Sequence, residues 1–321
     1  MTRHRVARRA ACAGFTLAEL AIALVIVGLL LASAMIPLSA QVELRNVSET
    51  RRTLDQIKDA VIGFAQANGR LPCPARGLTP TGTTDAVVRV PPAFFAAGAE
   101  QYDTTNKRCY VVLGVVPWST LGVPETDAWG RRFSYRVSPA FADDPSLTTW
   151  QSRLDDYVVP APPPIYLPQA KTVPTSPTNQ TPLCELTTAP SQSTIALCTL
   201  GDIAILTRSY SDHSVVTPLG TGVPAVIVSH GRNGFGAFQP NGQSLTPSGG
   251  ADELGNSTGL NTVGPPKVAY LSYAYYSRDP TPSATGCSDT AGTVFCEFDD
   301  IVTWISPSTL VARMVSAGRL P

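Results

Sequence analysis

The hydrophobic pattern changes character twice along the chain. Residues 15–40 read FTLAELAIALVIVGLLLASAMIPLSA, with Glu19 as the single charge and none from Leu20 to Leu38. An uncharged run of this length approaches the roughly 20 residues a helix needs to cross a bilayer. From Leu44 the apolar positions fall at Leu44, Val47, Leu54, Ile57, Val61 and Phe64, with Arg45, Glu49, Arg51, Arg52, Asp55, Lys58 and Asp59 between them. That spacing traces one helical face. The pattern predicts one helix over 15–68, about 81 Å long at 1.5 Å per residue. Its first half, at 20–38, is read as membrane-spanning and its second half as amphipathic. Pro37 is expected to kink it. Asn68-Gly69 and then Pro72 end it.

Beyond the helix the pattern shortens to strands and turns. Cys109–Val116 reads as a buried strand and Phe133–Val137 (FSYRV) as a half-exposed one, with Pro117, Gly122, Pro124 and Asp127 marking turns between them. Residues 160–182 hold eight prolines and read as an extended loop. The β-prone stretches after it are Thr194–Arg208, Ala225–Ser229, Val268–Tyr276 and Thr293–Ile305. Residues 239–266 read as a long Gly/Asn/Ser/Pro-rich loop. Ser308 is the expected cap of a short final helix, with Leu310, Val311, Met314 and Val315 on its apolar side. The expected fold class is α+β: the long N-terminal helix packed on an antiparallel β-sheet head, 69–321, with long loops. One continuous sheet would bury both parts of that head.

Composition agrees with a loop-rich head, since Pro (29) and Gly (25) are plentiful and charged residues make up only 15 %. The net charge of zero argues against nucleic acid as a partner. Arg3, Arg5, Arg8 and Arg9 precede the apolar run, which should keep that end cytoplasmic and place the head outside. Of seven cysteines, Cys12 sits beside this basic stretch. The other six, Cys73, Cys109, Cys184, Cys198, Cys287 and Cys296, read as disulfides formed in an oxidising compartment. Short spacings favour Cys184–Cys198 and Cys287–Cys296, leaving Cys73–Cys109, among the fifteen pairings that six cysteines allow.

A secretory signal peptide or a plain signal anchor would account for the apolar run. Neither has a use for Glu19, because a carboxylate at the edge of a membrane helix is costly and usually has a partner. The block AGFTLAEL, behind a basic leader and ahead of the apolar run, resembles the signature of type IV pilins and type II secretion pseudopilins. The resemblance implies that residues 1–14 are a leader cut between Gly14 and Phe15 by a prepilin peptidase, which then methylates the amine of Phe15. It also implies that Glu19 serves assembly, paired with the Phe15 amine of a neighbouring subunit or its own. Two charges among apolar helices are tolerable when paired. NGRLP at the helix end and DAWGRRFSY further on resemble the head of the same family, with Asp127, Trp129 and Gly130 read as turn and packing residues.

VSHGRNGFGAF (228–238) with FDDIVTW (298–304) resembles the C-terminal loop of the major pseudopilin, which binds calcium. Calcium takes six to eight oxygen ligands. The candidates here are Asn233, Asp299 and Asp300, with Asp252 and Glu253 as further oxygen sources. The alternative is a Gly-rich hairpin in which Arg232 pairs with Asp299 or Asp300. GxGxxG and a Walker A loop are absent, and no enzyme is expected. The resemblance points to a large minor pilin-like subunit. Its expected place is the inner membrane as a single-pass protein with a periplasmic head, and then a filament. Its expected partners are other pilin subunits, the prepilin peptidase and an inner-membrane assembly platform. A membrane-anchored adhesin, and then a membrane-anchored periplasmic enzyme, are the competing readings.

Overall fold

The computed structural model describes residues 16–87, 93–105, 107–143, 195, 201–246, 250–258, 273–292 and 294–320, with the backbone alone at 30–40, 85–87 and 93. In chain order the elements are α1 (Leu17–Asn68), β1 (Thr84–Val87), β2 (Ala93–Ala96), β3 (Tyr102–Asp103), β4 (Arg108–Cys109), β5 (Leu113–Val115), α2 (Trp118–Leu121), β6 (Ser134–Val137) and α3 (Pro139–Ala142). They continue with β7 (Ile203–Arg208), β8 (Val216–Val223), β9 (Ala225–Ser229), α4 (Ala251–Thr258), β10 (Tyr273–Tyr276), β11 (Ile301–Ile305) and α5 (Pro307–Ser316). The Pro-rich stretch 160–182, Cys184 and Cys198 lie outside the described residues. The chain divides into two compact units, Met1–Val47 and Ser48–Pro321.

In the first unit, the described side chains from Leu17 to Leu29 are exposed, including Ile22, Leu24 and Val25. Among the described residues no helix is long and apolar enough to cross a membrane. The predicted span, 20–38, runs into residues described by backbone alone.

In the second unit, α1 buries Thr50, Leu54, Ile57, Val61 and Ala65, which recur every three or four residues on one face. Burying a side chain such as Ile57 contributes about 1.5–3 kcal/mol. The helix stops where Gly69, at φ 72°, turns into the left-handed region and donates its N–H to the Ala65 carbonyl at 2.7 Å.

The described residues form two small pairs, β1-β2 and β3-β4, and two larger sheets where one was expected. The first has the order β11-β9-β6-β5 and is antiparallel throughout. The second has the order β10-β7-β8, with β7 and β8 antiparallel but β10 and β7 parallel. Strand alternation assigns the layers. Tyr135, Val137, Ala225, Ile227 and Ile305 pack with the α1 face and with Leu310 and Met314 of α5. Val226 and Val228, one residue out of phase, pack with Ile203, Ile205, Val223 and Tyr275 of the second sheet. The outer face of that sheet buries Ala204, Leu206, Ala274 and Tyr276 with Phe298. Helix α4 comes close to this face because residue 255 is glycine: a Cβ there would sit 3.0 Å from the Tyr276 ring.

Several sequence expectations change. FSYRV is fully buried rather than half-exposed. Both faces of β6 are covered, and Arg136 reaches Asp202 at 2.9 Å while its guanidinium stacks on Tyr273. Cys109–Val116 divides between β4 and β5. The expected loop at 239–266 contains α4. The final helix is capped by Ser306, whose hydroxyl accepts the Thr309 N–H at 3.2 Å, because Pro307 takes the first helical position. Strand β8 was not expected at all: Pro218, Gly220 and Gly222 obscure it, and such residues are tolerated because β8 lies at the edge of its sheet.

Candidate functional site

At the N-terminus, Gly14 and Phe15 lie outside the described residues. The helix that follows is opened by Thr16 and Glu19 acting on each other. The Thr16 N–H and hydroxyl both donate to the Glu19 carboxylate at 2.9 Å, and the Glu19 N–H donates to the Thr16 hydroxyl at 3.3 Å. This is a capping box, which satisfies backbone donors that a helix start leaves open. The T-x-x-E spacing that encodes it was legible in the sequence.

In the head, Cys73 is bonded to Cys109 and Cys287 to Cys296. The DAWG turn is a packing element. The Asp127 carboxylate accepts the N–H groups of Trp129 and Arg131, both at 3.0 Å, and the Ser229 hydroxyl at 2.7 Å.

The Gly-rich turn after β9, the first turn of α4 and the residues entering β11 converge on a group of carboxylates. Oxygens of Glu253, Asp299 and Asp300 all lie within 4.8 Å of one another, with Glu253 and Asp300 buried and Asp299 half-buried. Gly231, at φ 55°, lets the turn lie against β11, since a Cβ there would meet the Asp299 carbonyl and carboxylate. Asn233 acts as organiser of the group. Its backbone N–H donates to Asp299 Oδ2 at 2.8 Å and its Nδ2 to Glu253 Oε1 at 2.9 Å, while its Oδ1 is taken by the Phe235 N–H. The Asp299 N–H also donates to Glu253 Oε1, at 3.1 Å. Among the described residues Arg232 forms no ion pair with either aspartate; it lies 4.0 Å from Glu297, and its charge acts on Asp299 only by pulling that carboxyl down.

Asp300 is held by a second set of contacts. Its Oδ2 accepts Asn256 Nδ2 at 2.8 Å, and its Oδ1 lies 3.5 Å from His230 Nδ1. His230 Nε2 is 2.8 Å from the Ser134 hydroxyl. The Ser134–His230–Asp300 order resembles a hydrolytic triad. Ser134, however, opens β6 and is 5 % exposed. Ser229, next to His230, faces Asp127 instead.

The electrostatics of the group are those of a site with spare negative charge. Asp299 Oδ1 and Asp300 Oδ1 are buried without a hydrogen-bond partner. Burial pushes the Asp299 carboxyl up to about 6, and the charges of Asp300 and Glu297 push the same way. A site of oxygen donors alone suits a hard cation such as calcium rather than a transition metal. Asp252, another expected oxygen source, is instead committed to Arg208 at 2.6 Å and Arg278 at 2.9 Å.

No curated protein and no solved structure matches the chain significantly. Residues 9–35 match the family model described as the Prokaryotic N-terminal methylation motif. The chain therefore carries, ahead of and within the start of α1, the prepilin-type signature of type IV pilins and pseudopilins.

Proposed function

We propose that this chain is a pilin-like or pseudopilin-like structural subunit of a type IV pilus or type II secretion filament. It is cut between Gly14 and Phe15 by a prepilin peptidase, methylated on the Phe15 amine, and assembled through its N-terminal helix. The observation that carries this reading is Glu19, five residues into the mature chain and inside the matched segment 9–35. Before assembly the precursor sits in the inner membrane through residues 20–38, with a periplasmic head, and it is handed to an assembly platform. The role is structural rather than enzymatic.

The head adds a calcium site held by Glu253, Asp299 and Asp300, with Asn233 orienting two of the carboxylates. The ion would supply positive charge to the buried carboxylate oxygens that lack hydrogen-bond donors.

Intact mass spectrometry of the mature protein tests the processing: a chain beginning at Phe15 with one added methyl is expected. Glu19→Ala should abolish filament assembly or secretion while leaving the head folded. Unchanged filament output from that variant would reject the assembly role.

A further inference from the structure

The first turn of α4 sends two adjacent acids in different directions. Glu253 joins the carboxylate group. Asp252 joins a buried network of two arginines and Asp289, whose side chains are 0–1 % exposed. Asp289 is the hinge between that network and the Cys287–Cys296 loop. Its Oδ2 accepts the Asp252 N–H at 3.2 Å, a helix-start donor with no partner inside its own helix. Its Oδ1 accepts Arg278 Nη2 at 3.0 Å and the Cys296 N–H at 3.1 Å. Arg278 also donates to the Cys296 carbonyl at 3.2 Å. The disulfide therefore closes the loop that presents Asp289, and Asp289 caps the turn that presents Glu253.

We propose that the Cys287–Cys296 disulfide, acting through Asp289, positions Glu253 and so sets the affinity of the Glu253–Asp299–Asp300 site for a divalent cation. This rests on reading that cluster as a calcium site. Asp289 is a positioning residue: it orders the turn that carries a ligand. In chemical terms, a dithiol reductant would transfer two electrons and two protons to the bond. The sulfur–sulfur bond breaks, two thiols form, and the reductant leaves as its own disulfide. The loop then loses its closure and the cap on α4 loosens.

The test is calorimetric titration of calcium chloride into the full mature chain in detergent. The variants are Cys287→Ser with Cys296→Ser, Asp289→Ala and Asp289→Asn. Cysteine substitution is used because it removes this disulfide alone and leaves Cys73–Cys109 in place. Affinity should fall about 10–100-fold in the double serine variant and in Asp289→Ala, the range seen when residues that orient ligands are removed. Asp289→Asn keeps an acceptor oxygen and should recover part of the loss. A purely structural role would lower the melting temperature without separating Asn from Ala in affinity. If the double serine variant does not fold, Asp289→Ala, which keeps the disulfide, decides the matter. Wild-type affinity in folded Asp289→Ala would overturn the coupling. Absence of calcium binding in the wild-type chain would overturn the cation reading itself, and the coupling with it.

Discussion

Asp127 shows how one side chain can hold several segments together. Its carboxylate is 7 % exposed and accepts from two backbone N–H groups of its own turn and from Ser229 at the end of β9. Asp127→Ala leaves those donors buried without acceptors, and each such group costs about 1–3 kcal/mol. Denaturant unfolding should show a net loss of about 2–4 kcal/mol, whereas Asp127→Asn, which keeps an acceptor oxygen, should lose less. Burial also raises this carboxyl above its ordinary value, the hydrogen bonds pulling the other way. The folded chain therefore holds a proton over a pH range where the unfolded chain has released it. That contribution to stability is present in acid and fades as pH rises through the raised value. Asp127→Asn should remove this part of the pH dependence of the melting temperature.

Elements owe their positions here to burial on two sides. Ile57 lies on the inner face of α1, and Ile227 of β9 meets the same core, so each side chain is fully enclosed. Ile57→Ala should destabilise the folded chain by about 2–5 kcal/mol, measured by denaturant unfolding. A similar loss is expected from Ile227→Ala. Val226, its neighbour, faces the second sheet instead. Val226→Ala removes less volume and should cost less. If the sheets were not packed face to face, that substitution would cost almost nothing. At the end of α1, Gly69→Ala places a Cβ in the left-handed region and should cost about 1 kcal/mol.

Over the whole molecule, the carboxylate cluster ties together parts of the chain far apart in sequence: the turn after β9, the start of α4 and the entry to β11. A cation bound only by the folded head stabilises it by mass action, by about 2.7 kcal/mol at a hundredfold excess over the dissociation constant. Thermal melting of the mature chain should therefore rise with added calcium and fall with a calcium chelator. Glu253→Gln should flatten that response. A calcium-independent melting temperature in the wild-type chain would count against the site.

The N-terminal element was decided by local order. A run without charge from Leu20 to Leu38 and an apolar face from Leu44 to Phe64 specify a helix whatever the rest of the chain does, and residues 9–35, Glu19 among them, match the methylation motif. The head was legible only in pieces. AVIVS and YAYY announced strands, but alternation cannot reveal that both faces of FSYRV are covered, because Arg136 looks solvent-directed until Asp202 and Tyr273 are brought to it. The split into two larger sheets, the parallel pairing of β10 with β7 and the edge strand β8 depend on contacts between distant residues, which no local propensity encodes. The candidate metal site divides in the same way. Asp299 and Asp300 stood out beside a Gly-rich turn, yet the choice of Glu253 over Asp252 as their partner was made by two buried arginines, Arg208 and Arg278, that only the tertiary fold places beside α4.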